Sequence, residues 1–585
     1  MQGAGVSDTS ECWRREARHF MVLTRAGKPV YTRVGDPAAL AAFAGLLAGL
    51  SAVANSIGED AKGGGGERCD ALRGFRSAAG VRVAFLERGP LLLFALDAGA
   101  SRTGFDGETT GSLRVQLGHL HAQVVSLVLG SAGLGRAFAA AGAGLDCAGL
   151  LGGTQGVFHA LLARTEAHPG AYAGAVPGVA LPWALRRAAL DAVAEAGRRR
   201  RGNVSSWPSL GLPWSPAAKA KVSEDSSEDD GEEEGEGEGS EGVIFACLIG
   251  GRDRLVACAA RQGLGGGPLV HPDDYLLLSN LVGSSESVRS GGQASVVPLC
   301  LPRFHEAAFL HAYVTFLAPG LCLVLLGPSG AAGVFAAAAR RVEGRLGEGG
   351  VLDLLARACA PFIAEDDDED SLVPDRAAEG ASPSAPPPPP SPPAESLSPP
   401  RTPFRVALAE VSPQGVASPA LRDLRPVRKP PAPPSLLQFV LLRRPHERSP
   451  GEGGAGGAPR SQFVSTPFRA PAPPPAIRRH VLRAYKRMLV ADSGGPRGAG
   501  ALRDLATWMA VPVIDPHGGP GAPDVVVAPT SPPPLVSLRR DRDITLLAAF
   551  VPGTSRAAVE AAQADVLAWS AAASADLFFD PVPLP

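Results

Sequence analysis

The 585-residue sequence predicts an α+β protein: three successive units of antiparallel sheet packed with helices, joined by two linkers. Three observations predict it. A hairpin pattern followed by a long helical pattern occupies residues 20–57. The order strand, strand, helix, strand, strand, helix then recurs between residues 243 and 362. Between the units lie one acidic and one acidic, proline-rich stretch whose composition cannot offset the entropy of ordering.

The first hairpin is Phe20–Leu23 and Val30–Tyr31 around Ala26-Gly27-Lys28-Pro29, where Gly permits positive φ and Pro fixes φ. Asp36 can cap the following helix and Pro37 suits its first turn. Leu40, Phe43, Leu46, Leu47, Leu50, Val53 and Ile57 recur at steps of three and four, which reads as one helical face. After a glycine-rich insertion at Gly63–Gly66, Val81–Glu87 and Leu91–Leu96 form a second hairpin across Arg88-Gly89-Pro90. Helical spacing returns over Leu113–Leu129, Val157–Arg164 and Leu181–Ala196.

In the second unit, Val243–Ile249 and Leu255–Ala259 read as strands and Asp273–Gly283 as a helix. Ala308–Leu317 and Leu321–Leu326 read as a hairpin, and Ala331–Leu346 and Leu352–Cys359 as helices. In the third, Leu436–Leu442, Asp524–Val527 and Asp543–Phe550 read as strands, Ala476–Leu489 and Ser555–Ala572 as helices, and Leu577–Phe579 as a terminal apolar element.

These segments carry a family resemblance. The run from Ala26 to Arg33 with its Leu-rich helix resembles the start of the vacuolar fusion protein Mon-one family. His271-Pro272-x-Asp274-x-x-Leu277-Leu278-x-Asn280-Leu281-Val282-x-Ser284-Ser285 resembles that family's second-domain helix. Val297–Phe304 and Ala308–Tyr313 resemble the segment after it, and Gln462–Phe468 resembles a segment of the third unit. The resemblance implies three longin domains, at 17–197, 243–363 and 435–585. A flexible 1–16, an acidic disordered 198–242 and an acidic, Pro-rich disordered 364–434 complete the chain. The family often has a long N-terminal extension, so the sixteen residues before the first domain imply that such control is absent or moved into the linkers.

Composition narrows the function. Hydrophobic residues make up 45% of the chain, ample for folded cores. Net charge is −2, yet eleven acids fall in Ser223–Glu241 and six in Glu365–Asp370, so the remainder is basic. Such a body suits an acidic partner or an anionic membrane surface. The eight cysteines form no C-x-x-C pair and several sit in apolar runs, as buried thiols of a reducing compartment do. No apolar run reaches the roughly 18 residues that span a bilayer, so membrane contact is expected to be peripheral.

Catalytic motifs are missing. Gly27-Lys28 is followed by Pro29, and Val22 stands where a P-loop needs its first glycine. G-x-G-x-x-G occurs at Gly237–Gly242 and Gly451–Gly456, neither between a strand and a helix. His119 and His121 are two residues apart on a helix and diverge. His271, His305 and His311 suit structural roles better than a metal site. No cofactor is expected, and nucleic acid is disfavoured because aromatic residues do not interleave with the basic ones.

Function is therefore expected on surfaces. The resemblance implies a subunit of a guanine-nucleotide exchange factor that pairs with a Ccz-type longin subunit and activates a late-endosomal Rab GTPase, without catalytic groups of its own. It implies a cytoplasmic protein, peripheral on the late endosome or vacuole, with an early-endosomal Rab as a candidate recruiter. Rab contact is expected at Asn55, Ile57, Asp70, Leu72, Arg73 and Phe75, where the glycine insertion blurs the match. The partner-subunit interface is expected at Leu40, Phe43, Leu47 and Leu50. Candidates for an anionic phosphoinositide surface are Arg198, Arg199, Arg200, Arg201, Arg478, Arg479, Arg483, Lys486 and Arg487. The alternative is a non-catalytic longin scaffold or tether, since both uses rest on one fold.

Overall fold

The computed structural model describes residues 16, 18–60, 72–98, 109–128, 130–141, 147–197, 242–251, 253–261, 270–284, 294–305, 309–370, 427–443, 461–466, 468–469, 473, 475–493, 509–510, 534–541, 543–578 and 582–584. Among these residues the strands form three sheets, each with helices on both faces, in keeping with the α+β class.

The first sheet comprises β1 (Arg18–Thr24), β2 (Pro29–Thr32), β3 (Gly74–Arg76), β4 (Arg82–Arg88) and β5 (Leu91–Asp97) in the order β2-β1-β5-β4-β3, all antiparallel. Side chains alternate across it. Met21, Leu23, Phe85 and Phe94 face helix α1 (Ala41–Asp60), while Phe20, Val22 and Leu93 face helix α2 (Thr110–Leu127) with Leu113, Leu117, Leu120 and Val124. Helices α3 (Gly130–Ala141) and α4 (Gln155–Ala167) complete that second layer. The first turn is a tight one, with Gly27 N donating to Thr24 O at 2.9 Å. Gly27 has φ 80°, and a Cβ there would meet Gly45 Cα of α1 at 3.2 Å, so the hairpin tip and helix approach through two glycines.

After α4 the chain leaves this sheet. β6 (Val176–Pro177) pairs in parallel with a strand of the third sheet. Helix α5 (Trp183–Ala194), which in the sequence lies within 17–197, packs on the second sheet: Leu185, Ala189, Leu190 and Val193 share a core with Leu248, Leu323 and Phe335.

The second sheet contains β7 (Phe245–Gly250), β8 (Arg254–Arg261), β9 (Ser295–Cys300), β10 (Phe309–Ala318) and β11 (Leu321–Gly327). Helix α6 (Pro272–Ser284) covers one face through Tyr275, Leu278 and Val282. Helices α7 (Ala332–Gly347) and α8 (Val351–Asp370) join α5 on the other. Strand β9 was not expected. It contains Pro298, which an edge strand tolerates. Helix α8 runs through the acidic residues to Asp370, eleven residues beyond the expected end at Cys359.

The third sheet contains β12 (Leu436–Arg443), β13 (Gln462–Ser465), β14 (Met509–Ala510), β15 (Leu535–Asp541) and β16 (Ile544–Phe550), in the order β14-β15-β16-β12-β13-β6. Helix α9 (Pro475–Ser493) lies on one face and α10 (Arg556–Ala572) on the other. Strand β15 was not expected. The strand expected at 524–527 lies outside the described residues, as do residues 198–241 and 371–426 of the two linkers. The last strand, β17 (Val582–Leu584), joins the second sheet, whose order is β17-β8-β7-β11-β10-β9.

Candidate interaction surface

Helix α1 divides its apolar residues between two sides. Leu40, Ala44 and Leu47 are buried against the sheet, and half-buried Phe43 sets its ring 6.2 Å from Phe94. Leu46, Leu50 and Val53 face solvent at 69%, 43% and 58% exposure. The single face expected from periodicity therefore splits. A sheet touches only one stripe of a helix, and the apolar pattern of α1 is wider than that stripe. This corrects the expected partner-subunit interface: Leu40 and Leu47 belong to the core, Phe43 largely does, and Leu50 is outside. Leu46 and Val53, which are not among the residues expected at that interface, join Leu50 at spacings of four and three. Three large apolar side chains lined along one exposed helix stripe are suited to apolar burial by another protein.

The other expected contacts divide likewise. Asn55 and Ile57 lie on the last turns of α1, where the backbone alone is described, and Asp70 lies outside the described residues. Leu72 is half-buried against the α1 core, while Arg73 is exposed. Phe75, 37% exposed on edge strand β3, lies 6.0 Å from the Phe85 ring. The stretch is pinned from behind: Phe85 N donates to Arg73 O at 3.0 Å, and Arg114 of α2 donates to Phe85 O. The structure thus places Leu72, Arg73 and Phe75 together at one end of the first sheet.

The basic helix of the third unit is α9, and it is wedged between units. Val481, Tyr485, Met488 and Leu489 are buried on the third sheet, while Leu482 and Val490 also pack into that core. Arg478, Arg483 and Arg487 are half-buried, and the Arg479 side chain is outside the description. Lys486 is 1% exposed, which removes it from the lipid-binding set. Its Nζ donates to Glu166 O at 2.6 Å and stands 5.3 Å from the Tyr172 ring centre. Arg198 to Arg201 lie outside the described residues.

Lys486 completes a buried charge cluster between the first and third units. Arg33 donates to Glu166 through Nη1 at 2.6 Å and Nη2 at 3.3 Å, and Arg18 Nη1 lies 3.5 Å away. Burial alone would raise the Glu166 carboxyl, but the Arg33 and Arg18 guanidiniums hold it down at about 2.

A polar seam joins the first and second units. Ser112, Gln116, His119, Gln123 and Ser126 form one buried stripe of α2. Asn280 of α6 donates to Gln123 Oε1 at 3.1 Å and to Val157 O at 2.9 Å, and Gln116 donates to Thr165 Oγ1 at 3.3 Å. Arg164 of α4 meets Asp253 across the same boundary at 2.8 Å. Within the second unit, the two segments that carry the resemblance bind one another. Asp274 accepts from Arg303 N at 3.0 Å, and Asp273 accepts from Arg303 Nε at 3.0 Å. Burial pushes the Asp274 carboxyl up to about 7 against the backbone N–H groups of Arg303 and Phe304, which favour its charged form. His271 caps its own helix, with Nδ1 accepting from Asp273 N at 3.1 Å. These motif residues hold the fold together.

Among the described residues no group of three or more His, Cys, Asp or Glu is placed to hold a metal ion. No helix there is long and apolar enough to cross a membrane.

Residues 18–154 match the family model described as the first longin domain of FUZ, MON1 and HPS1, and residues 241–340 match that of the second. The chain is 30% identical over 319 residues to a vacuolar fusion protein MON1 homolog of Arabidopsis thaliana, covering 54% of this chain and 41% of that protein. It is 32% identical over 342 residues to vacuolar fusion protein MON1 homolog B of Homo sapiens, covering 58% and 50%. Protein SAND of Takifugu rubripes is 30% identical over 320 residues, covering 54% and 48%. The matched part of the chain spans about half the length of these curated relatives or less.

Proposed function

We propose that this chain, whose residues 18–154 and 241–340 match the first and second longin domains of FUZ, MON1 and HPS1, is the longin subunit of a heterodimeric exchange factor for a late-endosomal Rab GTPase. The observation that carries this reading is the exposed stripe Leu46, Leu50 and Val53 on the first longin helix. Burying three such side chains contributes a few kcal/mol, on the order of 1.5–3 for each one fully covered. A second longin subunit of the Ccz type is the partner that the family resemblance supplies for it.

Exchange asks for no acid, base or nucleophile. It asks for a surface that binds the nucleotide-free GTPase more tightly than the loaded one, since only differential affinity shifts an equilibrium. Leu72, Arg73 and Phe75, at one end of the first sheet, offer an apolar and cationic rim for that surface. Recruitment is peripheral, to an anionic phosphoinositide membrane of the late endosome or vacuole, and activation of the Rab there drives early-to-late maturation and fusion.

The test is release of a fluorescent guanine nucleotide from a late-endosomal Rab. The purified heterodimer is expected to accelerate it, and the single chain to do so little. A heterodimer that binds loaded and empty Rab equally, without acceleration, would leave the scaffold reading in its place.

A further inference from the structure

The outer edge of the second sheet is β8, and two pieces of chain foreign to that sheet's hairpins close it. Near its start, Gly178 bridges Leu255 in parallel, and Val179 N donates to Leu255 O at 3.3 Å. Near its end, β17 runs parallel to it with Val582 opposite Ala259, Pro583 opposite Ala260 and Leu584 opposite Arg261.

The sequence around β17 reads Asp-Pro-Val-Pro-Leu-Pro, with proline at 581, 583 and 585. Along a strand, successive residues turn their backbone groups to opposite edges. Arg261 N donates inward to Ile244 O at 2.9 Å, so Ala260 turns its N–H and C=O outward to β17. Pro583 has no N–H, so the donors that β17 offers β8 are those of Val582 and Leu584. Pro583 then faces the outside, where a following strand would need a donor and finds none. One segment thus satisfies the open edge of β8 and blocks the next addition, which is how exposed edges are kept from pairing with other chains.

We propose that the outer edge of β8 is a peptide-binding site of the strand-addition kind, that its ligand is an extended peptide with proline at every second position, and that residues 582–584 occupy it in cis. Main-chain hydrogen bonds supply the attraction, and the alternate prolines select peptides that end the sheet. The segment's own two donors and the Ala260 N–H hold it, few enough bonds for it to exchange with a like peptide in trans.

Hydrogen exchange on the full chain and on a variant lacking residues 579–585 tests this. Deletion is expected to speed exchange of the Ala260 amide about tenfold or more and to leave the Arg261 amide unchanged. A synthetic peptide of residues 577–585 should restore Ala260 protection, and the same peptide N-methylated at Val582 and Leu584 should not. In the full chain, Pro583→Val should keep Ala260 protected and produce concentration-dependent self-association in sedimentation velocity. Equal acceleration of both amides, or of neither, overturns the site. So does rescue by the N-methylated peptide, and a Pro583→Val chain that stays monomeric overturns the role given to proline.

Discussion

At the scale of single residues, the most consequential group is Glu166. Its carboxylate pairs with Arg33 and Arg18, and its backbone carbonyl accepts from the buried Lys486, so it stands at the junction of three cations. Its folded-state value of about 2 lies below its ordinary 4.5. A depressed carboxyl stabilises the fold above the unfolded value, and that stabilisation drains away as pH falls from 4.5 towards 2. The loss over that window is about 3 kcal/mol. Glu166→Gln is expected to flatten that part of the stability profile and, at neutral pH, to destabilise by about 3–5 kcal/mol, because Arg33 loses the carboxylate it is paired with through both terminal nitrogens. Urea unfolding followed between pH 2 and 7 checks both. A variant whose profile matches the parent would show that the cluster is not closed in solution. Nothing in the sequence pointed to this group. Glu166 and Lys486 are 320 positions apart, and basic spacing on α9 looks the same whether a helix is wedged or exposed.

At the scale of elements, period and turn chemistry made most helices and hairpins legible, because a core-facing helix and a Gly-Pro turn write themselves into short windows. What they did not show was orientation beyond the core stripe. In α1, Leu47 and Leu50 lie one turn apart, yet the first is buried and the second is not. Strands β9 and β15 also escaped. Pro298 interrupts the first, and Arg539, Arg540 and Asp541 give the second a polar end. The division within α1 can be tested directly. Leu46→Asp with Leu50→Asp is expected to leave thermal unfolding within a few degrees of the parent and to abolish capture of a Ccz-type longin subunit. Leu47→Ala should do the opposite, costing about 2–5 kcal/mol of stability while leaving the exposed stripe in place. Loss of stability in the double variant, with capture retained, would assign the stripe to the fold and leave the proposed interface without its apolar anchor.

At the scale of the whole molecule, sequence order and spatial unit part company between residues 170 and 197. That segment gives β6 to the third sheet and α5 to the second. Arg186 ties the two together by donating to Val179 O at 2.6 Å and Asp576 O at 2.7 Å. A boundary read from linkers cannot see this, because a helix carries the same apolar period whichever sheet it covers. Its consequence is a displaced sensitivity to mutation. Leu190 is 1% exposed and lies in the second sheet's core, although it precedes the acidic linker. Leu190→Ala is expected to cost about 2–5 kcal/mol through the cavity it leaves. Hydrogen exchange should report that cost in β7 and β8, with β1 and β5 unchanged, since local opening follows the packed unit and not the order of the chain. Faster exchange confined to β1 and β5 would return α5 to the first domain and undo the link between the three sheets.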